Sequence, residues 1–149
     1  MIEIAQIQPS PTRTNHLVNT TDIPSARGQW LPDLGGNTTY VSRSATYLTV
    51  GGLCFVWGVI SVSVLGTGSA VGFSGFPFTA REYSIINVGN TTGLAVAVVS
   101  LYLVIGGLTK SANFRARTAA TVSDDDNVAI FADGTELDFS GVYEIVVGS

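Results

Sequence analysis

The most conspicuous shortage in this chain is charge. Lys, Arg, Asp and Glu make up only 12% of its 149 residues, about half of the quarter that is usual in soluble proteins. No charged residue and no histidine occurs between Arg43 and Arg81, or between Glu82 and Lys110. Such stretches either cross a lipid bilayer or are covered by protein on most of their faces. The net charge of −4 and the scattered basic residues leave no basic patch for nucleic acid.

Residues with nucleophilic or acid–base chemistry are also scarce. Cys54 is the sole cysteine, so no internal disulfide can form, and its apolar neighbours predict a buried, unreactive thiol. His16 is the sole histidine and lies in a segment without the order that fixes a catalytic geometry. The carboxylates near the C-terminus have no second acidic segment to face them, as glycoside hydrolysis requires. We therefore expect no enzymatic activity and no cofactor.

The densest acidic cluster is the run from Asp124 to Asp126, which is followed by Asn127. Oxygen ligands at this spacing can bind calcium, but the run lacks the alternating aspartates and the closing glutamate of an EF-hand loop. A solvated loop explains the cluster as well. Both alternatives stay open, with the loop favoured over a metal site.

The uncharged stretches pose a choice between membrane and sheet. Tyr47 to Gly66 is long enough to span a bilayer, which would make the chain a small membrane protein such as a phage holin. However, Gly51-Gly52 interrupts this stretch, and no basic cluster flanks it to set an orientation. From Leu53 to Leu65 the residues alternate with a period of two, and β-branched and aromatic types dominate. The sequence therefore favours strands and predicts no membrane contact.

Two regions differ in composition. Residues 1–29 contain Pro9, Pro11 and Pro24 and show no periodicity, which predicts an extended N-terminal arm, with a disordered terminus as the alternative. Residues 30–149 contain short apolar runs separated by Gly, Asn and Ser, with no helical period. This pattern predicts an all-β domain, a β-sandwich or jelly roll. The predicted strands are Thr38–Val50, Leu53–Leu65, Ala70–Ser74, Tyr83–Val88, Leu94–Ile105, Phe114–Val122 and Val142–Val147.

Burial preferences assign the largest apolar side chains to the core rather than to a binding pocket. These side chains are Phe55, Trp57, Phe73, Phe76 and Phe78. The segment Leu94–Ile105 is apolar on both faces, which predicts a strand covered from two sides. The Gly-Gly pair at Gly51 predicts a hairpin turn, and Gly89 to Gly93 predicts a further turn.

Several segments, taken in chain order, resemble a module found in tailed-phage virion proteins. They are Gly28–Pro32, Gly35–Tyr40, Tyr47–Gly51, Trp57–Ile60, Phe73–Phe78 and Leu137–Tyr143. The resemblance covers about residues 28–147 and implies a homotrimeric all-β module without enzymatic activity, usually at the C-terminal end of a tail fibre or tailspike. Because no long shaft precedes the module here, the resemblance fits a small capsid decoration protein or short fibre that docks by its arm.

The expected location is the virion, and the expected partners are two further copies of the chain and phage capsid or tail proteins. The alternative is a fibre tip that binds a receptor or carbohydrate on the host surface. The candidates for particle attachment are the apolar residues of the arm: Ile2, Ile4, Ile7, Leu17, Val18 and Ile23. The candidates for the subunit interface are Leu94, Val96, Val98, Leu101 and Leu103. Arg115 and Arg117 are the exposed contact candidates, on the polar side of their strand.

Overall fold

The structure, a computed structural model, describes residues 25–120 and 122–146. Strands and turns make up these residues, so the all-β class predicted from the sequence is confirmed. The strands are β1 (Ser25–Trp30), β2 (Thr39–Val50), β3 (Leu53–Val64), β4 (Gly72–Ser74), β5 (Ser84–Thr92), β6 (Ser100–Ile105), β7 (Ser111–Arg117), β8 (Asp125–Asp126) and β9 (Glu136–Glu144). No helix within the described ranges is long and apolar enough to cross a membrane.

All strands belong to one antiparallel sheet with the order β1-β2-β3-β9-β5-β6-β7-β4, and β8 pairs with β7. The last strand of the chain therefore lies in the middle of the sheet, between β3 and β5. The two ends of the sheet approach each other, because Asp33, just after β1, exchanges two backbone hydrogen bonds of 2.9 Å with Ser74 of β4. The sheet is thus curled, and its halves face each other across the core as in a sandwich-like module.

The concave side of the sheet holds an aromatic core. Trp30 of β1 lies 4.8 Å from the ring of Phe76 and 5.7 Å from that of Phe139 in β9. Phe73 of β4 lies 5.0 Å from Phe139, although many strands separate β4 from β9 along the sheet. These contacts are possible only because the sheet curls, and ring packing of this kind contributes beyond the burial of area.

The core predictions are half right. Phe73 and Phe76 are buried, and Phe78 is partly buried against the core. Phe55 and Trp57 are not in the core, because they lie on the outer face of the sheet. Cys54 and Val56 alternate with them and occupy the inner positions of β3. A strand of period two can bury only one of its faces inside a single curled sheet.

The hairpin at Gly51-Gly52 is confirmed, since Val50 pairs with Leu53 across it and Gly51 adopts a positive φ of 61°. The predicted turn at Gly89 to Gly93 is wrong, because β5 continues to Thr92. The ladder to β9 absorbs Gly89 and Asn90 as a bulge between Val88 and Thr91.

The predicted strand Leu94–Ile105 is only half a strand. β6 begins at Ser100. The residues before it contact another loop, where the Ala95 N–H donates a hydrogen bond of 2.8 Å to the Ile130 carbonyl. The predicted strand Phe114–Val122 is likewise too long, because β7 ends at Arg117.

The boundaries near the two chain ends also differ from the predictions. Residues 25–29, assigned to the arm, form most of β1 and pair with β2. The ordered sheet therefore begins earlier than predicted, and residues 1–24 lie outside the described part. The last strand is Glu136–Glu144 rather than Val142–Val147.

Candidate functional site

The outer face of the sheet carries a continuous row of apolar side chains. In the register of the sheet, Leu48 of β2 lies opposite Phe55 of β3, which lies opposite Val142 of β9. On the next strands, Ile85 of β5 lies opposite Val104 of β6. At about 4.8 Å between strands, the row is roughly 20 Å wide. Val50, Leu53 and Trp57 widen it on either side of Phe55.

We call these residues the outer apolar band: Leu48, Val50, Leu53, Phe55, Trp57, Ile85, Val104 and Val142. Six of them are 37–57% exposed, namely Val50, Leu53, Phe55, Trp57, Ile85 and Val142. Single exposed apolar residues are ordinary on protein surfaces, but a contiguous group marks an interaction surface.

Charges border the band on two sides. Arg27 of β1 lies opposite Leu48, and its guanidinium carbon lies 5.7 Å from the centre of the Trp57 ring. Past the Trp57 end of the band, β9, which lies in the middle of these strands, presents the exposed carboxylates of Glu136 and Asp138 on the same face as Trp57. Within the described ranges, neither Arg27 nor Asp138 forms an ion pair. The band therefore has a basic edge at β1 and an acidic end next to Trp57.

A shallow groove of about 510 Å³ runs beside Trp57. Its polar lining includes Ser44 of β2 and the pair Asp138 and Ser140 of β9. An indole face next to hydroxyl and carboxylate groups can contact a ligand that has both apolar and polar faces.

The acidic run Asp124–Asp126 folds back onto β7. Asp126 forms an ion pair with Arg115, in which 2.7 Å separates Oδ1 from Nε. Asp124 forms one with Arg117, in which the same atoms are 3.1 Å apart. Residues Asp125 and Asp126 form β8 as the partner of β7. The exposed contact candidates Arg115 and Arg117 are therefore engaged within the subunit, and whether they contact anything else stays a prediction.

The same loop perturbs two pKa values. The Tyr102 hydroxyl donates to Asp124 Oδ2 at 2.9 Å. This hydrogen bond lowers the pKa of Asp124 below its ordinary value, with a further contribution from Arg117. It also raises the pKa of Tyr102, because the carboxylate favours the protonated phenol. Arg115, Arg117 and Tyr102 thus already bind the carboxylates of Asp124 and Asp126, which a metal cation would need as ligands.

No group of three or more His, Cys, Asp or Glu side chains lies together in residues 25–120 and 122–146 so as to hold a metal ion. Cys54 is fully buried, as predicted, and burial raises the pKa of its thiol. A thiol in this environment stays protonated and is a poor nucleophile.

The predicted interface residues lie mostly against the subunit's own core. Leu103 is fully buried, so its assignment to a surface is wrong: its side chain faces inward from β6. Leu94, Val98 and Leu101 are partly buried and pack on the core, while Val96 is 37% exposed. Whether these four contact another copy stays a prediction. The six attachment candidates of the arm, and His16, lie outside the described residues.

Sequence reasoning missed the outer apolar band. The signal was present in β3, where the alternate positions Cys54, Val56, Ile60 and Val62 already supply an inward face. Leu53, Phe55 and Trp57 must then point the other way. What the sequence could not show is that no second layer formed by residues 25–120 and 122–146 covers them.

Comparisons with known proteins agree with the fold. No protein-family model matches the sequence, and no curated protein shows significant similarity to it. Among solved structures, the crystal structure of the Dettilon tailspike protein is similar, with a TM-score of 0.60 and 11% sequence identity. The match covers 82% of this chain but only 24% of the tailspike chain. At this identity the likeness concerns the fold, and the chain corresponds to about a quarter of that protein's length.

Proposed function

We propose that this chain is a structural protein of a tailed-phage virion, either a capsid decoration protein or a short head or tail fibre. In this proposal the N-terminal residues attach to the particle, and the β module is displayed as a homotrimer. The observation that carries the proposal is the likeness of the module to part of a tailspike fold. The ordered motifs from Gly28 to Tyr143 support the same origin.

The sheet suggests how an arm joins the module. Ser25, the first residue of β1, pairs with Val50 beside the Gly51-Gly52 turn, so the preceding residues leave from this end of the sheet. Because β1 itself is part of the ladder, the attachment segment is shorter than the composition predicted. Residues 1–24 precede β1, so their deletion leaves the described strands β1 to β9 complete.

The test is a deletion of residues 1–24 in the full chain, with binding to purified particles that lack the protein as the readout. We expect the truncated protein to stay folded, judged by its circular dichroism and thermal melt, and to lose particle binding. A matched variant, Ile2→Ser with Ile4→Ser, keeps the length of the arm and should weaken binding. Decoration of particles by the truncated protein at the level of the full chain would contradict the role of the arm.

A second candidate function is recognition of a host-surface carbohydrate, and the groove beside Trp57 favours it. Sugars pack their apolar faces on indole rings and donate hydroxyls to carboxylates such as Asp138. The expected result is binding of the full chain to host surface polysaccharide that is lost in Trp57→Ala and in Asp138→Asn. Absence of binding by the intact protein would eliminate this candidate.

A further inference from the structure

We infer that the outer apolar band is the surface on which a second copy of this chain docks. In this contact the Arg27 edge of one copy meets the Asp138 end of the next. This inference deepens the proposed function, because it assigns the surface that joins the copies of the homotrimer. It concerns the purified protein alone, so it and the particle-binding proposal can fail separately.

The exposed apolar area of the band is large for a single subunit. The six exposed members of the band leave roughly 500 Å² of apolar surface open, at about 200 Å² for each large side chain when fully exposed. This is near the upper limit for the largest patch on a monomer. With its polar surroundings, such a patch approaches the roughly 800 Å² that each partner contributes to a standard interface.

The charges around the band of one copy complement those around the band of another copy. Arg27 borders it on β1 and lacks a carboxylate partner in the described ranges, while Asp138 borders it on β9 and lacks a cation there. A neighbouring copy that is rotated about a common axis supplies the missing partner at each side. A contact in which the Arg27 edge of each copy meets the Asp138 end of the next can repeat around a three-fold axis and close a ring of three copies.

The chemistry of the band fits a copy of the chain better than a carbohydrate. The apolar row continues from Trp57 through Phe55 to Val142 and Ile85, where no polar side chain interrupts it. A sugar needs hydrogen-bonding groups on all sides of its ring, but the band offers them only at its ends, at Asp138 and Ser140 beside Trp57 and at Glu144 opposite Leu53. In addition, the Arg27 guanidinium already lies over the Trp57 ring. A protein surface matches the whole band, and a sugar matches only one end.

The experiment measures the mass of the full chain by sedimentation equilibrium over a range of concentrations. We expect the native sequence to associate into a closed oligomer and Val142→Ser to weaken that association by about tenfold or more. Val41→Ser is the matched control, because Val41 is 73% exposed but lies outside the band. Its association should equal that of the native chain.

A charge reversal tests the contact between Arg27 of one copy and Asp138 of another. Arg27→Glu and Asp138→Arg should each weaken association by about tenfold, because each places like charges at the contact. The double variant should recover most of the native affinity, because the pair is restored with opposite polarity. Lys110→Glu, a reversal at an exposed site elsewhere, should change nothing.

Two results would overturn the inference. One is a native chain that stays monomeric at every concentration, whether or not it binds carbohydrate through Trp57. The other is an oligomer whose affinity is unchanged by Val142→Ser and by both charge reversals, which would place the contact on another surface. Circular dichroism of each variant distinguishes lost association from lost folding.

Discussion

The two faces of β3 have similar composition and opposite surroundings. On the inner face, Cys54, Val56 and Ile60 are almost completely buried by the rest of the subunit. On the outer face, Leu53, Phe55 and Trp57 are larger, yet each remains more than a third exposed. Side-chain size and hydrophobicity therefore do not decide which face is covered. The curl of the sheet decides it, because the curl leaves room for one core only.

The difference indicates two separate roles for apolar residues in a single strand. Those on the inner face stabilise the fold of one subunit, since the aromatic core around Phe139 depends on them. Those on the outer face contribute little to that fold while the subunit is alone. Their size and apolar character fit the association inferred above for the outer apolar band.

The largest expected effect comes from truncating a phenylalanine on each face. Phe139→Ala should lower the free energy of unfolding by about 3–5 kcal/mol, because it opens a cavity between Trp30 and Phe73. Phe55→Ala should cost the isolated subunit about 1 kcal/mol or less, because its ring is partly in water already. Urea denaturation measures both values, at a protein concentration too low for the subunits to associate.

A similar loss in both variants would contradict the separation of roles. It would mean that Phe55 is covered within the subunit, for instance by residues outside the described part of the chain.

The sequence was sufficient for the class of fold and for the inner face. Alternation in β3 and the turn at Gly51-Gly52 are local patterns, and the structure confirms both. The errors arose where long-range pairing overrides local signals. Gly89 and Asn90 look like a turn, but pairing with β9 keeps them in the ladder as a bulge. The apolar residues from Leu94 onward look like a strand, yet they cross to the Ile130 segment instead.

A smaller effect is expected from Tyr143, whose side chain points inward from β9. Its hydroxyl donates to the Phe78 carbonyl at 3.0 Å and accepts from the Phe78 N–H at 3.3 Å. Tyr143→Phe leaves both backbone groups without this partner and should cost about 1–3 kcal/mol.

The pH dependence of that variant gives an independent check. Burial raises the pKa of Tyr143 far above its ordinary value of 10.0. The pKa of Tyr143 is higher in the folded than in the unfolded chain. Its contribution to stability is therefore fully present below about pH 10 and falls above it, because only the unfolded chain ionises there. The slope for one such group is about 1.4 kcal/mol per pH unit. Tyr143→Phe should show a shallower fall in alkaline denaturation curves, and an unchanged slope would contradict the burial of this hydroxyl.

The smallest effect is expected from a change to the hydrogen bonds of Asp124, which contacts Tyr102 and Arg117. Tyr102→Phe removes the hydrogen bond that contributes most to lowering the pKa of Asp124, so this pKa should rise toward its ordinary value. Because the folded pKa is the lower one, the contribution of this pair is present near neutral pH and lost as pH falls through it. Carboxyl titration by nuclear magnetic resonance measures the shift. Tyr83→Phe, at a tyrosine that is 78% exposed, is the matched control and should cause none.

The candidate site was harder to predict from the sequence than the fold was. Arg115 and Arg117 were correctly placed on the polar side of β7, but the aspartates that engage them come from a loop whose return to the strand depends on tertiary structure. The outer apolar band joins residues from strands far apart in the chain, such as Leu48 and Val142. Only the position of β9 between β3 and β5 brings them into one surface.

The most direct test of the account is the accessibility of Trp57 in the assembled protein. The chain has 2 tryptophans, and Trp30→Phe leaves Trp57 as the sole reporter. This change breaks no hydrogen bond, because the Trp30 indole N–H is buried without a partner among the described residues. Acrylamide quenching of Trp57 should be strong when the variant is dilute and should fall as copies associate. Quenching that stays equally strong while sedimentation shows a stable oligomer would contradict the account.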